Sequence, residues 1–321
     1  MKRRVLLAVM GLAFAGRGVA RAQASRPIVV YLTTGSLPPD LRAAIVAGMA
    51  EFGLVEDRDF EIVYRAGQGD ASRVPALIAE VIALNPAVIV SSTTGLTVEL
   101  KRTTNSIPIV NTTIADPVGL GFAKSIARPG GNVTGLLATS ATGGKLVELL
   151  LQIVPHVTKL GILLNPTNTG NTVGYSRVKD EIARLPVTLV RVEAQTPADI
   201  EPAFQALARE AVEALIPFQD PLFNQEAKRI ADLALAARLP TAYGFRFLPD
   251  AGGLMSYGGS LKARYRRVGW YVAKILQGEK AGDLPIEQQE RVELLVNMKT
   301  AAALGITVPP SILARADELI E

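Results

Sequence analysis

The chain has no cysteine, a single histidine (His156) and a single tryptophan (Trp270) among 321 residues, and aromatics make up 5% of it. Each scarcity removes a class of function. Without thiols there is no disulfide framework, no thiolate metal site, no cysteine nucleophile and no cysteine for a lipid anchor. His156 follows Pro155 just ahead of a strand pattern, where a surface imidazole is expected. No Gly-x-Ser-x-Gly elbow is present. Thr142-Gly143-Gly144-Lys145 has neither phosphate-loop spacing nor a dinucleotide fingerprint. The expectation is no catalytic residue, no metal, no cofactor and no enzyme activity.

Long apolar runs are also scarce. The longest, Val5 to Ala15, follows Lys2, Arg3 and Arg4 and precedes Ala22-Gln23-Ala24. It falls short of the roughly 20 apolar residues a bilayer needs, and the order of basic, apolar and small residues is that of a secretory signal peptide over residues 1–24. The expected location is the periplasm, without a lipid anchor and not embedded in the membrane. The 34 basic residues of the chain, less the five in that segment, leave 29 against 30 acidic ones. A mature chain so close to neutrality has no basic face for phosphates, which argues against nucleic acid as a partner. About 297 residues lie at the upper limit for one core and divide more naturally into two lobes.

Short β-branched runs alternate with longer helical patterns. Ile28–Leu32, Phe60–Tyr64, Ala87–Val90 and Ile107–Val110 are strand-like, separated by segments beginning near Pro39, Ala71 and Gly95. The strands are apolar without alternation, as in a parallel sheet covered on both faces. The series recurs at Lys159–Leu164, Val187–Val192, Val212–Ile216 and Leu239–Ala242, with helices near Thr169, Asp199 and Pro221. The fold class is α/β, with two similar parallel-sheet lobes joined by a three-crossover hinge. The remaining pieces set the domain expectation: residues 25–138 plus 253–285 as the first lobe, and 139–252 plus 286–321 as the second. Leu254–Tyr257 would then return to the first sheet and Glu293–Val296 to the second.

In open parallel sheets, ligands sit beyond the carboxyl ends of the strands, where helix N-termini present free N–H groups. The residues in those places are small and polar. The first series has Thr34, Gly35 and Ser36, then Ser92, Thr93 and Thr94, then Thr113 and Asp116. The second has Asn165 and Asn168, then Asp220, then Tyr243. Hydroxyls and N–H groups at a helix start suit a carboxylate, and Asp116 or Asp220 suits an ammonium group. The same residue types are also the preferred helix caps, a role that fits Thr94 and Asp220 best. The basic run Lys262, Arg264, Arg266 and Arg267 reads as a solvated helix face opposite an aromatic buried side.

Several segments then carry a family resemblance: Phe52-Gly53-Leu54-Val55-Glu56, Asp116-Pro117-Val118-Gly119, Ala127-Arg128-Pro129-Gly130-Gly131-Asn132-Val133-Thr134-Gly135, Asp220-Pro221-Leu222-Phe223, Gly252 to Gly258 and Leu304 to Pro310. Together they resemble the ABC transporter substrate-binding family typified by tryptophan- and tyrosine-binding proteins. The resemblance implies a type I periplasmic-binding fold, capture of a small ligand between the lobes, and delivery to ABC permease subunits; the chain itself is expected to be a monomer. It carries over to Ser92, Thr93, Thr94, Asp116, Asn165, Asn168, Asp220, Tyr243 and Ser256 as ligand positions. The chain departs from the family after the first strand, at Thr34 to Pro39, and its few aromatics leave Tyr31, Phe218, Tyr243 or Tyr257 to stack on an aromatic ligand. Three other functions share parts of this pattern: a sensor presenting its ligand to a membrane receptor, an exported hydrolase or isomerase, and a regulator's effector domain. The last would carry a helix-turn-helix where this chain has its export pattern.

Overall fold

A computed structural model describes residues 26–68, 70–138, 143–288 and 292–321; the signal segment lies outside them. The first lobe opens with β1 (Ile28–Thr33), α1 (Pro39–Ala50), β2 (Glu61–Ala66), α2 (Val74–Ala83), β3 (Val88–Ser91), α3 (Thr94–Thr103), β4 (Ile109–Ile114) and β5 (Val133–Leu137). Its five strands are all parallel and run in the order β2-β1-β3-β4-β5. Val29, Tyr31, Val88 and Val90 pack to one side of this sheet, and Val30, Leu32, Ile89 and Ile109 to the other. Burial of both faces is why the strands read as uninterrupted apolar runs.

The second lobe repeats the scheme with α4 (Gly143–Ile153), β6 (Lys159–Leu164), α5 (Thr169–Glu181), β7 (Thr188–Glu193), α6 (Ile200–Arg209), β8 (Ala214–Pro217), α7 (Pro221–Gln225), α8 (Ala227–Ala236), β9 (Ala242–Tyr243), α9 (Phe247–Asp250) and β10 (Met255–Gly258). Strands β7-β6-β8 form one ladder, a bridge from Leu215 to Thr241 joins it to β9, and β9 pairs in parallel with β10. The two lobes therefore share one strand order, and each has its topological switch point between its first and third strands. After β10 come α10 (Leu261–Leu276), β11 (Glu293–Asn297), α11 (Met298–Leu304), α12 (Pro310–Leu313) and β12 (Glu318–Ile320), the last two strands extending the second sheet.

Strand β10 corrects the expectation for Leu254–Tyr257. It pairs with β9 and, antiparallel, with β11 in the second sheet, because the two-residue β9 leaves an open edge whose backbone groups need a neighbour. What returns to the first lobe is α10, which packs on α1 and under β3, β4 and β5. Ile286 and Glu287 also stay with the first lobe, where Glu287 bridges to Leu136 beside β5. Among the described residues no helix is long and apolar enough to cross a membrane.

The α1–α10 contact depends on two glycines. A Cβ on Gly48 would lie 2.0 Å from the Arg266 carbonyl oxygen, and one on Gly269 would lie 2.1 Å from that of Ile45. Neither clash can be relieved by turning a side chain. Gly269→Ala is therefore expected to push the helices apart and lower stability by about 3 kcal/mol, at the upper end for an overpacked core. Chemical denaturation checks it, and an unchanged midpoint would contradict the packing described.

Candidate ligand-binding cleft

The tips of β1, β3 and β4 face the tips of β6 and β8 across the gap between the lobes. On the first lobe the polar residues are tied mainly to backbone. Thr93 caps α3 by accepting from Leu96 N–H at 3.2 Å. Thr94 donates to the Thr113 carbonyl at 2.9 Å and accepts from Ala115 N–H at 3.0 Å. Thr112 donates to the Ser92 carbonyl at 3.1 Å, and Asn111 donates to that of Thr93 at 2.9 Å. This lacing holds the β3–α3 turn against the end of β4. It leaves two hydroxyl oxygens buried with no partner, Thr34 Oγ1 and Ser92 Oγ.

The second lobe organises its tips around one acid. Asp220, 2% exposed, caps α7 by accepting from Leu222 N–H at 2.9 Å. It also accepts from the Asn168 amide at 2.9 Å and the Asn165 amide at 3.4 Å. Asn168 caps α5 through Gly170 N–H at 3.0 Å, and Asn171 ties Asn165 N–H to the Gln219 carbonyl. Burial raises the Asp220 pKa, and the three hydrogen bonds oppose that shift.

The lobes touch. A Cβ on Gly35 would lie 2.6 Å from Pro221 Cβ, and one on Gly95 would lie 3.1 Å from the Thr167 carbonyl oxygen. Between them, among the described residues, lie an inner cavity of about 110 Å³, an outer groove of about 470 Å³ and a small cavity of about 80 Å³ beside the β1 tip. Thr94, Thr113 and Asn168 line the inner cavity, whose walls are otherwise largely apolar, with Leu146, Val147, Ile162, Ile216 and Phe218. Thr34, Thr93, Asn165, Asn168 and Asp220 line the outer groove. Ser36, Tyr31 and Tyr265 line the third. With Ser92 buried beside Thr93, nine of the sequence-derived positions converge on this region.

Four do not reach it. Asp116 accepts from Gly119 N–H at 2.8 Å in a turn and lines none of the three cavities. Tyr243 is 1% exposed in the second lobe's core, its hydroxyl donating to Asn224 at 2.6 Å, with the ring edge-on to Phe245. Ser256 is buried within β10, and Tyr257 packs against the second lobe's core. The two-residue β9 explains Tyr243: a loop position in the sequence has become a paired strand residue. His156 is exposed, as expected.

Sequence reasoning missed Arg177, which lines the inner cavity, and it misplaced Arg264; Gln219, in the polar loop ahead of Asp220, lines the same cavity. Arg264 is 2% exposed on the buried side of α10. The spacing that could have exposed this is on the chain, since 264, 268, 271 and 275 are successive positions on one helix face. Its neighbours do face outward: Arg266 pairs with Glu51, and Arg267 with Glu287 at 2.6 Å.

Residues 29–320 match the family model described as ABC transporter substrate binding protein. The chain belongs to the ABC transporter substrate-binding family. Within this family's fold, a Vibrio cholerae conserved domain protein matches with a TM-score of 0.83 and 28% identity, over 91% of this chain and 99% of that one. A Streptococcus pneumonia ABC domain solved in complex with L-Trp matches at 0.82 and 23%, over 92% and 100%. The tyrosine-binding protein of Clostridioides difficile is 20% identical over 83% of this chain and 76% of that protein. Type I periplasmic-binding architecture is thus the fold of this substrate-binding protein, and its cleft lies where that architecture puts two switch points face to face.

Two substitutions probe the cleft. Asp220→Ala strands the Leu222 N–H and two amides, and a loss of about 3 kcal/mol is expected in denaturant titrations. The raised folded pKa means Asp220 contributes stability that declines as pH rises from the unfolded carboxylate range through its folded value. The gap between wild type and variant should therefore narrow with rising pH in that window. Gly35→Val should prop the lobes apart without unfolding either: small-angle scattering should report a larger radius of gyration at an unchanged melting temperature.

Proposed function

We propose that this chain is the periplasmic solute-binding component of an ABC importer, a monomer that captures an amino acid or related carboxylate, including aromatic ones, between its lobes. It hands the ligand unaltered to permease subunits. The observation that carries this reading is the pair of hydroxyl oxygens, on Thr34 and Ser92, buried without partners at adjoining strand tips. Buried polar atoms are nearly always hydrogen-bonded, so orphans clustered at a switch point are what a ligand with polar ends would satisfy. The family match supports the transport role, and the basic–apolar–small order of residues 1–24 supports export.

Capture works by hinge closure. The open form exposes both rims to water, the ligand bridges them, and the closed form buries it among dipoles already in place. Taking the closed population from 1:99 to 99:1 needs about 5.5 kcal/mol of preference for the closed state. Charge-assisted hydrogen bonds of about 1.5–3 kcal/mol each, to one charged end of the ligand, supply that with two or three contacts.

Native mass spectrometry of the purified protein should find a small solute, and thermal shift against amino acids and small carboxylates should identify its class. A ligand at a hundredfold excess over its dissociation constant should add about 2.7 kcal/mol of stability. A chain that retains no solute and whose melting point none of them moves would refute capture in the cleft.

A further inference from the structure

Charges withdrawn from water nearly always meet an opposite charge. Arg264 does not. Its Nη1 donates to the carbonyls of Thr112 at 2.8 Å and Leu137 at 2.9 Å, while Nε and Nη2 are buried and meet no acceptor. Those two nitrogens form one edge of the guanidinium, the edge that takes a carboxylate in a two-point fork. Burial pulls the Arg264 pKa down to about 10, which still leaves it charged at neutral pH.

Arg264 lines none of the three cavities itself, but residues on either side of it do. Thr113 and Ala138, next in the chain after the two carbonyls Arg264 holds, line the inner cavity. Leu261 and Tyr265, on Arg264's own helix, line the cavity at the β1 tip. Thr112 also holds the Ser92 carbonyl, so the orphaned Ser92 hydroxyl belongs to the same cluster. Among the described residues, neither the inner cavity nor the cavity at the β1 tip is lined by an acid that could pair with an ammonium group. The acids of the cleft, Asp220 and Glu99, line the outer groove, where Asp220 accepts three hydrogen bonds from its own lobe and Glu99 pairs with Arg102 at 2.7 Å. The cation on the inner wall, Arg177, makes no ion pair among the described residues.

We propose that Arg264 is the specificity-determining anion receptor of the cleft, selecting a carboxylate with an apolar body and no ammonium group over the amino acid of the same body. The proposal rests on reading the cleft as a ligand trap. The apolar body goes to the inner cavity, whose size of about 110 Å³ is of the order of the roughly 150 Å³ cavity that holds a benzene ring. A carboxylate accepts up to about four hydrogen bonds, so the Arg264 fork and the Ser92 hydroxyl can be satisfied by one group.

The test is calorimetry on the full secreted chain at neutral pH, with matched sets of carboxylate, amino acid and amine. The sets are 3-phenylpropanoate, L-phenylalanine and 2-phenylethylamine; indole-3-propanoate, L-tryptophan and tryptamine; and 4-methylpentanoate, L-leucine and 3-methylbutylamine. In at least one set the carboxylate is expected to bind about tenfold or more tighter than the amino acid, with no binding of the amine. Arg264→Gln should weaken that carboxylate about a hundredfold, the scale of losing a charge-assisted fork. The ligand-free variant should still unfold cooperatively, at a melting temperature lowered by the lost donors to the Thr112 and Leu137 carbonyls. Arg264→Lys, which keeps the charge but not the fork, should recover part of the loss.

An amino acid that binds as tightly as its carboxylate overturns the proposal, and so does an Arg264→Gln variant within about threefold of wild type. If no set binds while native mass spectrometry still finds a solute, the ligand class is wrong and the trap reading stands. If neither finds a ligand, both fall.

Discussion

Carbonyl groups at the end of a parallel strand have no ladder partner beyond the last pair, and where a hinge leaves the sheet they must find donors elsewhere. Here one guanidinium serves two strands, since Arg264 holds Thr112 at the bulge in β4 and Leu137 at the end of β5. Residue 137 is the last of β5 before the chain passes to the second lobe, and Arg264 lies just after it has come back. Nearby, Arg267 grips Glu287, whose backbone accepts from Leu137 N–H and donates to Gly135. Three passages between the lobes are therefore rooted within one small region of the first lobe, and the alignment of the cleft floor follows from that anchoring.

The two sides of the cleft treat their polar groups differently. The strand tips of the second lobe are saturated, with Asp220 joining Asn165, Asn168 and the start of α7 into one network. The first lobe is not, since it keeps free the hydroxyls of Thr34 and Ser92 and one edge of Arg264. A saturated surface is rigid and chemically undemanding, while an unsaturated one waits for an acceptor. Discrimination between ligands is thus expected from the first lobe, and the second supplies a preformed rim and the apolar inner wall.

Much of the fold was legible because its strands are covered on both faces, which writes them into the chain as apolar β-branched runs between helical patterns. The weaker signals belong to short strands. β9 has two residues and β10 four, too few to declare which sheet they join, and so Leu254–Tyr257 was assigned to the wrong one. The candidate site was legible where a strand feeds a helix, as at Thr93, Asn168 and Asp220, because capping demands small polar residues there. Tyr243 and Ser256 were misplaced for the same reason as β10, and Arg264 was hidden among three basic neighbours although it shares a helix face with Val268, Tyr271 and Ile275.

Patterns of near neighbours along the chain, in apolarity, capping residues and charge, determined the α/β class, the doubling of the lobes and the polar character of their tips, because each depends only on local backbone geometry. Which tips meet, which hydroxyls lose their water, and which one of four basic residues is buried without an acid were decided by contacts between segments more than a hundred residues apart. Desolvation is a property of the assembled surface, and no local stretch of chain carries it.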